Sequence, residues 1–383
     1  MNILFISYIY PRKSNMRRGM FVHQRVKYIM RKGNNVEVIT TKGREDPDFE
    51  VMDGIKIHRV SAADSIFSGI LFIKNALKKI IDIGRTENID FILQEFVGIS
   101  TVFIGLLAKI KRKRFVLITQ ATKWELQFNN PVNRLFIKLA FALPEKIICC
   151  SNGAKHIISN VCNPRKMYVV NNGLDDEQLV PAKTSAKFRE ELGIKKGQIM
   201  ILTVSNLMPK KGIDVILQAI PNVIKKHGNL KYFIVGEGNT EADREKLEEL
   251  AGRLGIREYV RFEGKKIMSD LANYYNACDI FVVMSRDIGG EVESFGIVYI
   301  EASFFGKPVI GGISGGTADA VENGKTGYLI DSGDSKKIEE TILALIHDRK
   351  LREKLGKAGK KRVLNGFLWK QSAEKLLKIL NMN

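Results

Sequence analysis

Short apolar runs alternate with segments of helical periodicity along the first half of the chain. The apolar runs predict strands at residues 2–8, 36–40, 55–60, 89–95, 115–119, 146–150 and 167–170. The periodic segments predict helices at residues 20–32, 68–84, 99–111, 131–143 and 152–160. Such alternation is typical of βαβ units, in which helices cover both faces of a parallel sheet.

The same pattern starts again after a turn-rich passage at residues 171–176 and a polar stretch that ends at Thr184, which together indicate a linker. Strands are predicted at residues 199–205, 231–235, 260–263, 280–284, 308–310 and 327–330. Helices are predicted at residues 212–226, 241–254, 269–276, 295–305, 316–322, 335–347, 350–364 and 369–381. Two doubly wound α/β domains that face each other would place both sets of strand carboxyl ends on one interdomain crevice, where ligands bind in such folds.

The composition fits this picture of two globular domains, because the chain has 383 residues, of which 45% are hydrophobic and 27% are charged. Its four cysteines lack Cys-x-x-Cys spacing and are interpreted as buried apolar residues of a reduced protein. The apolar start of the chain is interpreted as a strand rather than a signal peptide, and no run reaches the roughly 18 apolar residues that span a bilayer. We therefore expect a cytoplasmic protein, either free or peripheral at the inner face of the cell membrane.

The formal net charge is +19, and the first half of the chain carries most of the excess. Residues 1–36 include eight basic residues and no acidic one, and five of the six residues at 109–114 are basic. Such patches suit nucleic acid, an anionic membrane or a phosphorylated substrate, or are only a solvated surface. No nucleic-acid-binding module accompanies them, so a nucleic-acid partner is not expected. The helix around residues 66–83, with Lys74, Lys78 and Lys79, either lies on a membrane surface or covers the sheet.

The most informative segment runs from Glu293 to Glu301 with the sequence Glu-Ser-Phe-Gly-Ile-Val-Tyr-Ile-Glu. Its helical periodicity places Glu301 on an apolar face, where a carboxylate costs free energy unless something donates hydrogen bonds to it. Glu293 precedes the expected helix start, where the N–H groups of Phe295 to Val298 are predicted to lack intrahelical partners. Two acids beside such amides suit a polyhydroxylated anionic ligand, such as a sugar nucleotide. Two solvated or ion-paired glutamates are the simpler alternative.

Two turns between a strand and a helix contain residues that suit an anion. Val204 to Gly212, with the sequence Val-Ser-Asn-Leu-Met-Pro-Lys-Lys-Gly, predicts a phosphate-binding loop, although an ordinary loop with surface lysines has a similar composition. In the first half, Gly19 would let a ligand approach the backbone closely. Arg17 and Arg18 beside it would hold either the diphosphate of a donor or an acidic acceptor.

Other motifs are weaker or point to no chemistry. Gly236-Glu-Gly238 and Ser314-Gly-Gly316 each follow or precede a predicted element, as glycine-rich turns generally do. Asp46-Pro-Asp48 is not predicted to bind a metal, because it lies in a charged, turn-rich loop with no strand before it. The five histidines have no zinc-site spacing, so a zinc site is not expected, and a serine hydrolase is not expected either.

Taken together, the segments at 172–175, 205–212, 235–238, 293–301 and 314–327 resemble the retaining glycosyltransferases of family 4, which have the GT-B architecture of two Rossmann-like domains. The resemblance covers nearly the whole chain and is greatest to members that use GDP-mannose, with UDP-sugars also open. It implies that the C-terminal helix crosses back to the N-terminal domain. The acceptor-binding domain would then comprise residues 1–180 plus about 365–383, and the nucleotide-sugar-binding domain residues 181–364.

The resemblance implies a role for each matching residue. Glu301 would accept hydrogen bonds from the ribose, Glu293 would contact the transferred sugar, and Lys211 would neutralise the diphosphate. The segment from Phe262 to Lys265 would hold the base. The full implied donor-binding set is Gly19, Asn206, Lys210, Lys211, Gly236, Phe262, Glu263, Glu293, Ser294, Phe295, Gly296, Ile297, Val298 and Glu301.

Catalysis is assigned to Lys211, Glu293 and Gln120, and acceptor binding to Arg17, Arg18 and Gln120. Two residues depart from the family pattern. Asn206 stands where the family usually has Arg, so a positive charge is missing there unless Lys210 or Arg18 replaces it. Gln120 stands where the family often has His, and its amide binds a hydroxyl but cannot take up a proton.

We therefore expect a metal-independent hexosyltransferase that needs no cofactor besides its nucleotide-sugar donor. The expected acceptor is a glycan or a lipid-linked glycan. The alternatives are a sugar-nucleotide epimerase or hydrolase, and a non-catalytic protein that binds sugar nucleotides and serves as a scaffold for polysaccharide assembly.

Overall fold

The computed structural model describes residues 1–16, 18–61, 68–120 and 131–382. The chain divides into two compact units, the first formed by Met1–Gly173 with Trp369–Asn383 and the second by Leu174–Leu368. The chain thus passes from the first unit to the second after Gly173, a few residues before the boundary expected from the polar linker. The second boundary lies close to the expected position near residue 365.

The first unit contains an eight-stranded sheet with the order β3-β4-β2-β1-β5-β6-β7-β8. All neighbouring strands are parallel except β3, which pairs with β4 in the antiparallel direction. The strands are Asn2–Ser7 (β1), Asn35–Lys42 (β2), Phe49–Met52 (β3), Ile55–Ser61 (β4), Phe91–Glu95 (β5), Arg114–Thr119 (β6), Lys146–Cys149 (β7) and Met167–Val169 (β8).

Helices cover both faces of this sheet. They are Met20–Met30 (α1), Ser68–Thr86 (α2), Ile99–Ile110 (α3), Pro131–Ala142 (α4) and Asn152–Ile158 (α5). Alternate residues of β1 enter different cores, because Ile3 and Phe5 pack with residues of α1, whereas Leu4 and Ile6 pack with residues of α2 and α3. This period of two is what a parallel sheet buried on both faces requires.

The second unit contains a six-stranded, wholly parallel sheet with the order β11-β10-β9-β12-β13-β14. Its strands are Ile199–Val204 (β9), Leu230–Val235 (β10), Val260–Gly264 (β11), Ile280–Val283 (β12), Val309–Gly312 (β13) and Gly327–Ile330 (β14). This is the Rossmann order, in which the chain reverses direction across the sheet between β9 and β12. Ligands bind at the carboxyl ends of the strands beside such a reversal.

The helices of the second unit are Ser185–Glu191 (α6), Ile213–Lys226 (α7), Glu241–Arg253 (α8), Met268–Ala277 (α9), Ile297–Phe304 (α10), Thr317–Ala320 (α11), Ser335–His347 (α12) and Arg349–Gly366 (α13). Single 3-10 turns lie at Pro164–Lys166 in the first unit and at Pro209–Lys211 and Arg257–Tyr259 in the second. The predicted parallel α/β architecture is confirmed in both units. The antiparallel strand β3 and the short helix α6 were not predicted.

The C-terminal helix, Trp369–Leu380 (α14), belongs to the first unit, as the resemblance implied. Trp369, Ala373 and Leu376 are buried in the same core as α1. A Cβ on Gly173 would lie 2.5 Å from the backbone nitrogen of Trp369, so the start of the helix is packed tightly against the chain that leaves the sheet. Lys146 donates to the carbonyl of Ile379 at 2.8 Å near the end of α14, where cations are favoured.

Among the described residues, no helix has both the length and the apolar content that crossing a bilayer requires. Helix α2, for which membrane contact was one alternative, buries Phe72, Ala76 and Ile80 against the sheet. The apolar face of α2 therefore covers the sheet, as the other interpretation of this helix predicted.

Four polar side chains form a closed, largely buried ring at the carboxyl edge of the first sheet. Arg25 on α1 donates to Glu95 at the end of β5, and also to Asn172 Oδ1 at 2.6 Å. Gln120, the residue after β6, donates to Glu95 Oε1 at 2.6 Å and accepts from Asn172 Nδ2 at 3.1 Å. Because Arg25 is 2% exposed and Glu95 is fully buried, each charge depends on the other members of the ring.

Replacing Arg25 by Met is expected to lower the free energy of unfolding of the first unit by about 3–5 kcal/mol, since the Glu95 carboxylate would remain buried without its cationic partner. Both tryptophans of the chain, Trp124 and Trp369, fall within the residue ranges of this unit. Tryptophan fluorescence during urea denaturation therefore reports on it. Arg31→Met, at the exposed end of the same helix, is the control. Equal midpoints for Arg25→Met and the wild type would contradict the prediction.

Candidate active site

A lysine-containing loop follows β9 at the carboxyl edge of the second sheet. Pro209–Lys211 form one 3-10 turn, and α7 begins two residues after Lys211. Gly212 joins them in the left-handed conformation, with φ of 63°, and a Cβ there would lie 2.1 Å from the carbonyl oxygen of Met284. Because only glycine fits this conformation at such close approach, the loop is pressed against the end of β12.

Lys211 and Glu293 form the central ion pair of this region. The distance from Lys211 Nζ to Glu293 Oε2 is 2.5 Å, and Ser285 donates its hydroxyl to the same oxygen at 2.8 Å. The side chain of Lys211 is 16% exposed and that of Glu293 13% exposed. The attraction is therefore less screened by water than in an ordinary surface pair. The structure brings together the two residues that the sequence assigned to the diphosphate and to the sugar.

The backbone of Glu293 is held by the Ser314–Gly316 turn. Ser314 Oγ accepts from the Glu293 N–H at 3.0 Å, and the Gly316 N–H donates to the Glu293 carbonyl at 2.7 Å. Ser314 in turn donates its hydroxyl to Asp287 at 2.5 Å. Two segments that the sequence singled out separately therefore belong to one hydrogen-bonded cluster.

Arg286, the second residue after Met284 at the end of β12, holds the lysine loop in place. Its Nη2 lies 2.8 and 3.0 Å from the two carboxylate oxygens of Asp214, and its backbone N–H donates to the Lys210 carbonyl at 2.9 Å. Lys210 Nζ lies 3.1 Å from Glu291 Oε2. Both lysines of the loop thus face glutamates of the segment at 291–293, which concentrates positive and negative charge at one strand edge.

Glu301 lies on the buried side of α10, as its position in the apolar periodicity predicted. It is 7% exposed, and Tyr275 on α9 donates its hydroxyl to Glu301 Oε2 at 2.6 Å. Burial raises the pKa of Glu301 above its ordinary range, and the Tyr275 hydrogen bond opposes that rise. Burial also raises the pKa of Tyr275 well above its ordinary value, so the phenol stays protonated as the donor. The donor that a buried carboxylate needs is thus Tyr275.

Helix α10 begins later than predicted, at Ile297 rather than at residue 295. Phe295 is buried and stacked on Phe367, with ring centroids 5.8 Å apart. Gly296 follows in the left-handed conformation, with φ of 84°, which ends this turn and starts the helix. Ser294, Phe295 and Gly296 therefore lie in the turn. The helix therefore begins with the N–H groups of Ile297 and Val298, whereas Phe295 and Gly296 precede it.

The ends of β9 and β10 pack closely at the level of the backbone. Gly236 donates its N–H to the Gly264 carbonyl at 2.9 Å, and a Cβ on Gly236 would lie 1.8 Å from the Ser205 carbonyl oxygen. The Ser205 hydroxyl is buried and has no hydrogen-bond partner within the described part of the chain. Asn206, the next residue, is exposed. Two polar side chains thus lie at this edge, directly before the lysine loop.

The segment assigned to the base has contacts within the second unit. Glu263 accepts from the Tyr274 hydroxyl at 2.7 Å and pairs with Arg261 at 2.8 Å. Phe262 packs against the main core of the unit, and the Arg244 guanidinium lies 5.9 Å from its ring centroid. These contacts engage the side chains and do not involve the backbone. The predicted role of this segment in binding the base through its backbone stays a prediction.

The residues assigned in the first unit lie at the carboxyl edge of its sheet. Gly19 precedes α1 with φ of 77°, and a Cβ there would lie 2.8 Å from the Ile9 carbonyl. Arg18 is exposed, whereas Arg17 lies outside the described residues. Both ends of the Gln120 amide are engaged in the ring with Glu95 and Asn172. The roles of Gly19 in donor binding, and of Arg17, Arg18 and Gln120 toward an acceptor, stay predictions.

Among the residues of the site that sequence reasoning missed are Ser285, Arg286 and Tyr275. The first two could have been found, because they follow β12 just as Ser205 and Asn206 follow β9, and side chains at these strand ends line the same edge. Tyr275 gave no comparable signal, since its contact with Glu301 depends on how α9 packs beside α10.

Comparisons with known proteins place the chain in a family. Residues 19–178 match the family described as Glycosyltransferase Family 4, and residues 184–362 match the one described as Glycosyl transferases group 1. A similar relative is the GDP-mannose-dependent monoacylated alpha-(1-6)-phosphatidylinositol monomannoside mannosyltransferase of Corynebacterium glutamicum, 33% identical over 213 residues. That match covers 55% of this chain and spans only 54% of the relative's length.

Two further comparisons extend over most of the chain. The capsular polysaccharide biosynthesis glycosyltransferase CapM of Staphylococcus aureus is 29% identical over 356 residues, covering 89% of this chain and 88% of that protein. The crystal structure of Anabaena HepE in complex with UDP and glucose superposes with a TM-score of 0.79 at 18% identity, covering 99% of each chain. The matched residues, the relatives and the two parallel sheets agree, and the chain belongs to the family 4 glycosyltransferases of the GT-B fold.

Proposed function

We propose that this glycosyltransferase moves a hexose from a nucleoside-diphosphate sugar, with GDP-mannose favoured, to a glycan or lipid-linked acceptor with retention of anomeric configuration. The donor would bind at the carboxyl edge of the second sheet. The single observation that carries the proposal is the 2.5 Å contact between Lys211 and Glu293.

That contact matches the chemistry of a sugar nucleotide. In the donor, the anionic diphosphate is bonded directly to the anomeric carbon of a neutral, hydroxyl-rich sugar. A site for it needs a cation and a hydrogen-bond acceptor side by side. Lys211 supplies the first and Glu293 the second. A bound diphosphate would draw Lys211 toward its own oxygens and leave Glu293 to accept hydrogen bonds from the sugar.

Lys211 would also act in the reaction itself. When the bond between the anomeric carbon and the diphosphate oxygen breaks, negative charge develops on the departing diphosphate. A fixed ammonium beside it stabilises this charge more than it stabilises the ground state. The acceptor hydroxyl would form the new bond on the face from which the diphosphate leaves and would pass its proton to the departing diphosphate oxygen, which gives retention.

Glu301 would bind the pentose of the nucleotide. A buried carboxylate with one protein donor, Tyr275, keeps acceptor capacity for hydroxyl groups. The raised pKa of Glu301 means that burying the ionised carboxylate costs free energy in the folded protein. A group that costs stability in the folded protein is often kept for ligand binding.

The choice of donor and acceptor is supported by the relatives. The Corynebacterium protein is named as GDP-mannose-dependent and as acting on a phosphatidylinositol monomannoside, whereas CapM is named for capsular polysaccharide biosynthesis. The sequence around residues 289–296 also resembles family members that use GDP-mannose. A UDP-sugar is the second candidate donor, and a membrane-associated glycan or glycolipid is the proposed acceptor.

Nucleotide release from GDP-mannose is expected to increase when a mannosylated phosphoinositide acceptor is added, and to persist in excess chelator. The reason is that Lys211 and the helix start supply the charge stabilisation that a metal ion otherwise gives. A coupled assay for released GDP measures both effects. A rate of GDP release that no added acceptor changes would identify a hydrolase instead. Loss of activity in chelator would contradict the proposal that the site needs no metal.

Replacing Lys211 by Ala is expected to lower kcat by about a hundredfold or more, on the scale of removing one donor to a developing charge. The control is Lys226→Ala, which removes a lysine that pairs with Glu339 elsewhere in the same unit. Equal turnover by Lys211→Ala and Lys226→Ala would contradict the assignment.

Replacing Glu301 by Gln is expected to weaken GDP binding by about tenfold or more, because a charged acceptor is lost. The stability of Glu301→Gln relative to the wild type should also increase as pH rises. The raised pKa of Glu301 means that its contribution to stability is full below the ordinary glutamate pKa and is lost as pH increases through the raised value. Thermal unfolding between about pH 4 and about pH 8, with and without GDP, measures both effects.

The matched control for this prediction is Glu339→Gln. Its pairing with Lys226 lowers the pKa of Glu339, so this contribution to stability is present at neutral pH and is lost as pH falls. The two variants should therefore differ from the wild type with opposite dependence on pH. Parallel pH profiles, or full GDP affinity in Glu301→Gln, would contradict the account of Glu301.

A further inference from the structure

Helix α3 has an apolar face that no part of the described chain covers. Ile99, Phe103, Leu106 and Ile110 are 54%, 42%, 44% and 75% exposed. Their spacing places all four within an arc of about 60° on the helix. Large apolar side chains exposed singly are ordinary, but four in one stripe indicate a contact surface.

The opposite side of α3 accounts for the packing of the helix. Val102, Ile104 and Ala108 are buried, and the last two belong to the core beneath the sheet. The exposed stripe is therefore not needed to attach α3 to the first unit. Helix α2 differs in this respect, because its buried apolar residues face the sheet and Ile70 is its one large apolar residue with high exposure among those described.

Helix α4 extends the apolar surface on one side. A Cβ on Gly105 of α3 would lie 3.0 Å from Cβ of Leu143, just after α4, so the two helices pack closely side by side. On α4, Leu135 and Leu139 are 58% and 42% exposed and lie one helical turn apart. We call the exposed side chains of these two helices the α3–α4 face.

Within the described segments that form the α3–α4 face, every charged side chain is a cation. Neither residues 96–120 nor residues 131–144 include an Asp or Glu. Five cations of the two segments are exposed: Lys109, Lys111, Arg112, Arg134 and Lys138. Arg114 differs, because it is paired with Glu145, with Nε 2.9 Å from a carboxylate oxygen.

We propose that the α3–α4 face docks the first unit onto the surface of an anionic lipid bilayer. The apolar stripe would enter the boundary between headgroups and acyl chains, and the flanking lysines and arginines would contact anionic headgroups. A second copy of the chain is a poor occupant, because a two-fold contact would place this acid-free basic face against itself. The inference does not depend on the proposed reaction, since lipid binding needs neither donor nor acceptor.

Flotation with vesicles of equal parts phosphatidylglycerol and phosphatidylcholine tests the proposal. The wild type is expected to float with these vesicles at low salt, to float less at about 0.5 M salt, and not to float with pure phosphatidylcholine. Phe103→Ser with Leu106→Ser should weaken binding by about tenfold or more. Lys109→Gln with Lys111→Gln should weaken it by roughly 25-fold, at about fivefold for each charge near the surface.

The controls match each change in type and exposure. Phe49→Ser removes a 50% exposed phenylalanine from the edge strand β3 of the same unit. Lys354→Gln with Lys357→Gln removes two exposed charges from α13 in the other unit. Both controls should bind vesicles like the wild type, and all variants should keep the thermal shift that GDP induces.

Three results would overturn the proposal. The first is no binding of the wild type to anionic vesicles at low salt. The second is equal loss of binding in the control and test variants, which would indicate a general effect of charge or folding. The third is a dimer, detected by light scattering, that Phe103→Ser with Leu106→Ser dissolves while vesicle binding is unchanged, since the face would then join two copies of the chain.

Discussion

The contact between Lys211 and Glu293 is the interaction on which the proposed donor site depends. The two residues are far apart in sequence, and each lies in a segment that follows a strand flanking the reversal of the second sheet. Their contact requires the lysine loop to press against the end of β12, which Gly212 allows because a Cβ there would meet the Met284 carbonyl at 2.1 Å. Arg286 holds the same loop through Asp214, and Ser285 donates to Glu293. The parallel topology therefore places opposite charges side by side where a diphosphate sugar would need them.

The chain alone was sufficient to predict the architecture. Most strands of the two sheets are short and largely apolar, because they are buried on both faces, and the helices between them show clear periodicity. The edge strand β3 was missed because Phe49 and Val51 are exposed there and follow no buried pattern. The start of α10 was displaced because Phe295 is apolar at a helical position. Its ring stacks on Phe367, which follows α13, and no local signal shows that.

The candidate site was predicted only in part, and the limit has a physical cause. Lys211, Glu293 and Glu301 were identified because charged residues beside strand ends, or within an apolar stripe, stand out in a sequence. Their partners depend on packing between elements distant in the chain. Tyr275 reaches Glu301 from another helix, and Arg25 reaches Glu95 from the helix after β1. Gln120 shows the same limit, because its amide is engaged by Glu95 and Asn172, which sequence spacing does not reveal.

The central claim, that a nucleoside diphosphate binds at the carboxyl edge of the second sheet, is tested most directly by isothermal titration calorimetry with GDP, UDP and ADP. The account predicts measurable heat and a stoichiometry of one for one of these nucleotides, with GDP favoured. The absence of binding heat with all three, at several temperatures, would contradict it.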